Sequence, residues 1–333
     1  FVRDGRTYKL GVINIPSFYK DFKDASDGNE EFNSTTRDVK KLIADLEEKG
    51  IDGLLIDLRR NGGGALDEAV ELTGLFVDHG PVVQVKDFDG KVREEEDKSN
   101  EVFYDGPLTV LTSRLSASAS EIFAAAIQDY KRGVIIGERS FGKGTVQNLI
   151  GLQQYIPSEK EKLGQLKLTT AKFYRVNGGS TQNLGVTPDV KLPSAFDHNE
   201  VGESAYPSAL KWDRITAAKY ALSNTIDDQF ILQLNSKFEQ RLKSDLDLQM
   251  LTKELDYIRN MRNVKEISLN ESIRRKMIEE EEKLKPENNK IEGVEYSKEG
   301  ISSSTANQGL KLEDVYLEEG LLILADVVQL SDV

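Results

Sequence analysis

The sequence predicts an α/β core followed by an α-helical C-terminal domain. Three observations carry that expectation. Between Thr7 and Val190, short β-rich runs alternate with stretches whose apolar residues recur at helical spacing. Strands alternating with helices argue for βαβ units in an α/β layer structure. From about Pro207 the composition turns helical, and Phe230, Leu234, Phe238 and Leu242 recur every four residues as an amphipathic stripe. The chain has 333 residues, enough for two domains. The core is expected over 1–205 and the helical domain over 206–333.

The elements follow in order. A strand is expected over 9–15. Residues 35–49 carry Val39, Leu42, Ile43 and Leu46 at helical spacing. The run GLLIDL over 53–58 reads as a buried strand, and it leads into Asn61-Gly62-Gly63-Gly64. Helical spacing resumes over 66–76. Residues 82–86 and 108–111 read as strands. Between them, 87–100 is a charged excursion, expected as a hairpin or loop and best read as a solvated surface turn. Residues 120–130 read as a helix that Gly133 ends. Strands follow over 134–137, 145–150 and 165–175, with a surface loop over 154–163. Further on, 273–284 is a solvated helical face, 288–308 is polar and expected to be mobile, and a last helix covers 312–330.

Composition excludes several classes of function. The net charge is −13 and no basic stripe is present, which argues against nucleic acid. No apolar run reaches the roughly 20 residues of a membrane span. The nearest, 321–330, is short and carries Asp326. The chain opens with Phe and shows no signal-peptide pattern, which leaves its compartment open. With no cysteine there is no disulfide and no thiol nucleophile. The only histidines, His79 and His198, sit in turn-like settings without metal-site spacing. Neither a metal centre nor a cofactor is expected.

Three segments carry candidate chemistry. The glycines at 62–64 follow a strand and open a helix. Their backbone N–H groups can cradle an oxyanion or phosphate, or simply form a tight β–α turn. Lys143, in GERSFGKGTVQ, nearly completes a phosphate-binding loop. However, Gly144 stands where that loop needs a hydroxyl, and a strand-like run follows instead of a helix. It is either a surface lysine in a glycine turn or an amine aimed into a cleft. Ser118 lies in SASASE at the mouth of a helix. Ser118 and Glu121 fit a capping box. The same position suits a nucleophile, because a helix N-terminus stabilises an oxyanion. A hydroxyl plus an amine able to act as its base are the minimum parts of a histidine-free serine hydrolase.

The words IDLRRNGGGALDEAVELTGLF, FYDGPLTVLTSRLSASASEIFAAAIQDY, GERSFGKGTVQ and KLTTAKFYRVNGGSTQNLGVTPDV occur in this order over roughly 10–190. Together they resemble the carboxy-terminal processing proteases, or tail-specific serine endopeptidases, and within them the bacterial periplasmic Prc, or Tsp, branch. The C-terminal third resembles the helical extension of that branch more loosely. The resemblance implies stacked βαβ units of the ClpP/crotonase type. It implies Ser118 as nucleophile, Lys143 as general base, Gln147 as the residue orienting its amine, and the backbone N–H groups of Gly64 and Ala119 as the oxyanion hole. It further implies protein or peptide substrates with apolar C-termini, an adaptor lipoprotein as a possible partner, and a periplasmic or cell-envelope location. The family's PDZ domain, which reads the substrate tail, is expected to be absent from this chain.

Such a base works only if its amine is neutral. Free lysine has a pKa of about 10.4, and burial without a counter-charge lowers it. Asp57, at the strand end near the glycines, is therefore expected to be structural, since a carboxylate beside Lys143 would oppose that shift. Two other classes stay open from sequence: a peptide-binding or chaperone-like module that keeps the cleft without turnover, and an acyl-CoA enzyme of the crotonase type.

Overall fold

The computed structural model describes residues 2–3, 5–22, 24, 27, 32–99, 102–155, 163–197, 200–223, 226–264, 266, 268–284 and 310–331. The chain begins with β1 (Val2–Arg3), β2 (Arg6–Thr7) and β3 (Leu10–Asn14), then α1 (Thr35–Glu48), β4 (Gly53–Asp57) and α2 (Leu66–Gly74). It continues through β5 (Pro81–Asp87), β6 (Val92–Glu96), β7 (Leu108–Thr112), α3 (Ala119–Asp129) and β8 (Val134–Gly137). Next come β9 (Thr145–Gly151), β10 (Gln165–Tyr174) and β11 (Val190–Lys191). Four helices close it: α4 (Asp228–Ser244), α5 (Leu246–Asn263), α6 (Glu271–Leu284) and α7 (Leu310–Ser331). His198, residues 156–162 of the expected surface loop, and the polar 288–308 stretch lie outside the described residues.

The expected α/β architecture is present. A five-stranded parallel sheet runs in the order β11-β8-β7-β4-β3. Its central strands, GLLID, LTVLT and VIIG, are buried at every position, as strands covered on both faces must be. Alternate side chains then serve different layers. Leu54, Ile56, Val110 and Ile135 pack under α1–α3, against Ile43, Leu72 and Phe123. Leu55, Leu111, Val134 and Ile136 face the other way, against Leu234 and Phe238 of α4 and Ile323, Leu324 and Val327 of α7. The C-terminal helices thus form the back layer of the core. The approach is close: a Cβ on Gly53 would stand 2.9 Å from the Leu324 side chain.

Side-chain caps fix three of the helix starts. Ser34 caps α1 by accepting the Arg37 N–H, and Asp227 and Asp245 cap α4 and α5 in the same way. The end of α3 differs from the one expected. The helix stops at Asp129, and Lys131, not Gly133, takes the left-handed conformation with φ 54°. Gly133 is instead needed for packing, since a Cβ there would lie 3.0 Å from the Leu108 carbonyl.

A second sheet, antiparallel in the order β6-β5-β10-β9, stands beside the site. It makes the 87–100 excursion a hairpin, one of the two forms expected, and not merely a solvated surface turn: β6 pairs with β5 and keeps its charged side chains because it is a solvated edge. The helical composition after Pro207 also starts later than it reads. Residues 206–223 form an irregular strap on the core, tied by Ile215 N–H to the Gly178 carbonyl (2.8 Å), Ala218 N–H to the Val176 carbonyl (2.8 Å) and Trp212 Nε1 to the Ser180 carbonyl (2.9 Å).

Asp326 has a structural role the sequence did not signal. It is fully buried on α7 and accepts Arg241 at 2.6 Å, Arg3 at 3.0 Å and Lys237 at 3.3 Å. Arg241 also pairs with the buried Glu319 at 2.7 Å. Among the described residues no helix is long and apolar enough to cross a membrane.

Candidate active site

The site forms where three strand ends deliver loops to one cleft. At the end of β4, Asp57 accepts the Arg59 backbone N–H at 2.9 Å and its guanidinium at 2.8 Å, so its charge is spent locally. Asn61, also buried, stitches the glycine loop to its neighbours. Its side-chain N–H donates to the Ile15 carbonyl at 2.9 Å, and its side-chain oxygen accepts the Gly63 N–H at 2.9 Å. Its backbone carbonyl accepts Ala117 N–H (3.0 Å) and the Ser120 hydroxyl (2.8 Å). The loop also bridges Phe18: Phe18 N–H donates to Gly63, and Ala65 N–H donates to the Phe18 carbonyl at 2.8 Å. That bridge leaves out the Gly64 N–H. Gly64 itself has φ 152°, and a Cβ there would fall 2.0 Å from the Phe18 oxygen.

Beyond β7, Ser116 anchors the turn by donating to the Leu58 carbonyl at 2.8 Å. Ser118 then takes φ 58° and ψ −115°, a conformation rare for a non-glycine residue. Such backbone strain clusters at functional sites. Ala119 begins α3, so its N–H is one of the four that a helix start leaves without an intrahelical partner.

Glu121 joins this turn to the lysine loop. Its carboxylate is fully buried and accepts four donors: the Ser140 hydroxyl (2.6 Å), Gly142 N–H (2.7 Å), Lys143 N–H (2.8 Å) and Ser118 N–H (2.9 Å). Burial pushes its pKa up from 4.5 to about 7, against the pull of those four bonds. The expected capping role was therefore only part of its function.

Lys143 projects into the cleft, and its Nζ donates to the Gln147 side-chain oxygen at 3.2 Å. Its pKa is lowered, first by burial and next by repulsion from Lys167, with Glu203 and Glu121 opposing. Among the described residues no ion pair forms on its amine. A strand, β9, follows the lysine, so the lysine loop opens no helix as a phosphate-binding loop must.

All five residues expected from sequence, Gly64, Ser118, Ala119, Lys143 and Gln147, line a single cleft of about 1520 Å³. Phe18, Val70, Leu75, Ile122 and Phe173 give it an apolar wall. His79 is exposed, pairs with Asp78 at 2.6 Å, and does not line the cleft. Among the described residues no group of three or more metal-ligating side chains converges. Chemically, the cleft offers a hydroxyl on a strained backbone, an amine with a weakened hold on its proton and an apolar surface.

The sequence profile of peptidase family S41 matches residues 9–192, more than half of the chain. The chain belongs to peptidase family S41. A second profile, the C-terminal domain of tail-specific protease, matches residues 196–329. Among curated relatives, the tail-specific protease of Haemophilus influenzae is 45% identical over 268 residues, covering 80% of this chain and 37% of that protein. The carboxy-terminal-processing protease of Bartonella bacilliformis is 37% identical over 195 residues, covering 53% of this chain and 42% of that protein. Of solved structures, a photosystem II D1 C-terminal processing protease is 33% identical with a TM-score of 0.45, covering 55% of this chain and 42% of its own. The chain thus spans well under half the length of these family members.

Proposed function

We propose that this chain is the catalytic part of a serine endopeptidase that cleaves protein substrates recognised by their C-terminal tails. The single observation that carries the proposal is that Ser118, Lys143, Gln147, Gly64 and Ala119 all line one cleft with an apolar wall. Membership of the family supports it.

In the proposed mechanism, neutral Lys143 takes the Ser118 proton as the hydroxyl oxygen attacks the peptide carbonyl. The N–H groups of Gly64 and Ala119 hold the developing oxyanion, each worth about 3–4 kcal/mol. The protonated amine then passes its proton to the leaving nitrogen, the C–N bond breaks and an acyl-enzyme remains. Water, deprotonated by the same amine, releases the acid. Gln147 holds the amine through a neutral oxygen, so it orients without stabilising the ammonium as a carboxylate would.

The rest of the proposal follows the family. It comprises a protease core over 1–205 with a helical domain over 206–333, substrates with apolar C-termini, an adaptor lipoprotein as partner, and action in the periplasm or cell envelope. The test is hydrolysis of a tailed protein substrate by the full-length protein and by its Ser118→Ala and Lys143→Ala variants. Both variants should stay folded and lose turnover. Turnover in either one refutes the assignment, and tail binding without turnover by the unaltered protein would favour a binding module.

A further inference from the structure

We propose that Gln182 is a positioning residue for the Lys143 base, an inference that rests on the Ser–Lys assignment above. A side chain's direction is set by the φ and ψ of its own residue, and those are fixed by the two peptide planes that flank its Cα. The plane before Lys143 carries the Lys143 N–H, which Glu121 accepts at 2.8 Å. The plane after it carries the Gly144 N–H, which the Gln182 side-chain oxygen accepts at 2.9 Å. Two side chains from distant parts of the chain therefore hold both planes of the base.

Gln182 is itself well held. It is fully buried, its backbone N–H donates to Ser180 Oγ at 3.0 Å, and its amide N–H reaches Glu203 at 3.4 Å. The segment around it is a bed for the whole lysine loop. Asn183 N–H donates to the Gly142 carbonyl at 2.7 Å, and Thr181 Oγ1 donates to the Lys143 carbonyl at 3.4 Å. Val186 N–H donates to Ser140 Oγ at 2.7 Å. The fit is tight enough to require glycine, since a Cβ on Gly144 would lie 2.8 Å from the Gln182 nitrogen. An amide also suits this place chemically. It accepts the Gly144 N–H as a carboxylate would, but adds no negative charge beside an amine that must lose its proton. The charged groups that already act on Lys143 are Glu121, Lys167 and Glu203.

The experiment compares Gln182→Met and Gln182→Glu in the full-length protein. It measures kcat and KM across pH, with far-UV circular dichroism and thermal melting as the check on folding. Methionine keeps the volume and removes the acceptor. It should lower kcat by about 10- to 100-fold, the cost of a misplaced catalytic group, with KM little changed. Glutamate keeps the acceptor and adds charge. It should restore kcat at alkaline pH while moving the acid limb of the profile upward by about one unit. Unchanged kcat in Gln182→Met overturns the proposal. So does equal impairment of both variants with an unmoved acid limb, which would mean packing alone. If the methionine variant does not fold, an unmoved acid limb in Gln182→Glu still overturns it. A Lys143→Ala control separates the two levels: turnover without the lysine sinks the Ser–Lys assignment, whereas a dead Lys143→Ala beside an unimpaired Gln182→Met sinks only the role of Gln182.

Discussion

Glu121 accepts the backbone N–H of Lys143 at 2.8 Å across 22 residues of sequence. The same oxygen accepts the Ser118 N–H at 2.9 Å, so one buried carboxylate sets the spacing of the loops that carry the proposed nucleophile and base. Its other oxygen holds Ser140 and Gly142. All four partners are donors, and only an ionised carboxylate accepts from four at once.

Glu121→Gln should therefore be costly. A glutamine turns one oxygen into an NH₂ group that faces two donors, and each unsatisfied buried group costs about 1–3 kcal/mol. The expected result is a lower urea midpoint and a fall in kcat well beyond any change in KM. The pH dependence follows from the raised pKa. Because the folded value, about 7, exceeds the ordinary 4.5, the folded chain holds this proton more tightly than the unfolded chain. The associated stability is fully present below about 4.5 and is lost as pH rises through about 7. The four bonds strengthen over the same interval as the carboxylate ionises. Unfolding free energy measured against pH should show this component in the native sequence and not in Glu121→Gln. An identical pH profile in the two proteins would remove Glu121 from the account.

Lys143 offers a prediction of opposite sign. Its pKa is lowered by burial first and by Lys167 second. Lys143→Arg should be inactive at every accessible pH, because a guanidinium does not release its proton. Lys167→Met removes a repelling charge, so the Lys143 amine should hold its proton more strongly and the acid limb of activity should move to higher pH. Added salt should shrink the difference between Lys167→Met and the native protein, since Lys167 is exposed and its effect is screened. An acid limb that does not move would show that burial alone tunes the base.

These two residues differ in how far the sequence announced them. Lys143 and Ser118 stand out as candidates because local patterns single them out, glycines around an amine and small residues before a helix, whereas Gln147 has no such pattern and enters only with the family resemblance. The central strands are legible for a similar reason, since unbroken apolar runs admit few alternatives. Glu121 is half legible, because a capping box accounts for its residue type and hides its second set of partners. Gln182 and Asn61 carry no local signal at all. Their meaning arises only when β4, β7 and the segment after β10 bring their loops together. Asp326 is the extreme case, with partners Arg3 and Arg241 lying 323 and 85 residues away.

Asp326 also yields a stability test separate from catalysis. Asp326→Ala removes the carboxylate shared by Arg241, Arg3 and Lys237 and leaves Arg241 with Glu319, a loss of about 1–3 kcal/mol from the broken buried hydrogen bonds. The helix that carries it covers the back of β4 and β7, remote from the cleft. Denaturant titration should show the loss, while kcat measured well below the melting temperature should match the native protein. An unaltered midpoint would mean that the apolar contacts of α7 suffice to seat it.

The glycine loop supplies the sharpest contrast, because two neighbours of the same residue type should respond in opposite ways. At Gly64 the backbone has φ 152°, and an added Cβ would lie 2.0 Å from the Phe18 carbonyl oxygen, a backbone atom that cannot swing away. Gly64→Ala must displace either the loop or the Phe18 bridge, and the proposed oxyanion donor moves with it. Loss of one such donor lowers kcat by about 10²–10³-fold. At Gly62 a Cβ meets nothing within 4 Å and φ is not in the left-handed range, so Gly62→Ala should leave kcat within about twofold and stability within about 0.5 kcal/mol. A tight β–α turn with no catalytic part predicts something else for Gly64→Ala: lost stability, with full turnover in whatever fraction remains folded. Active-site titration with a serine-reactive phosphonate counts that fraction. If kcat per titrated site is unchanged in Gly64→Ala, the loop is only a turn, and the oxyanion must be held elsewhere.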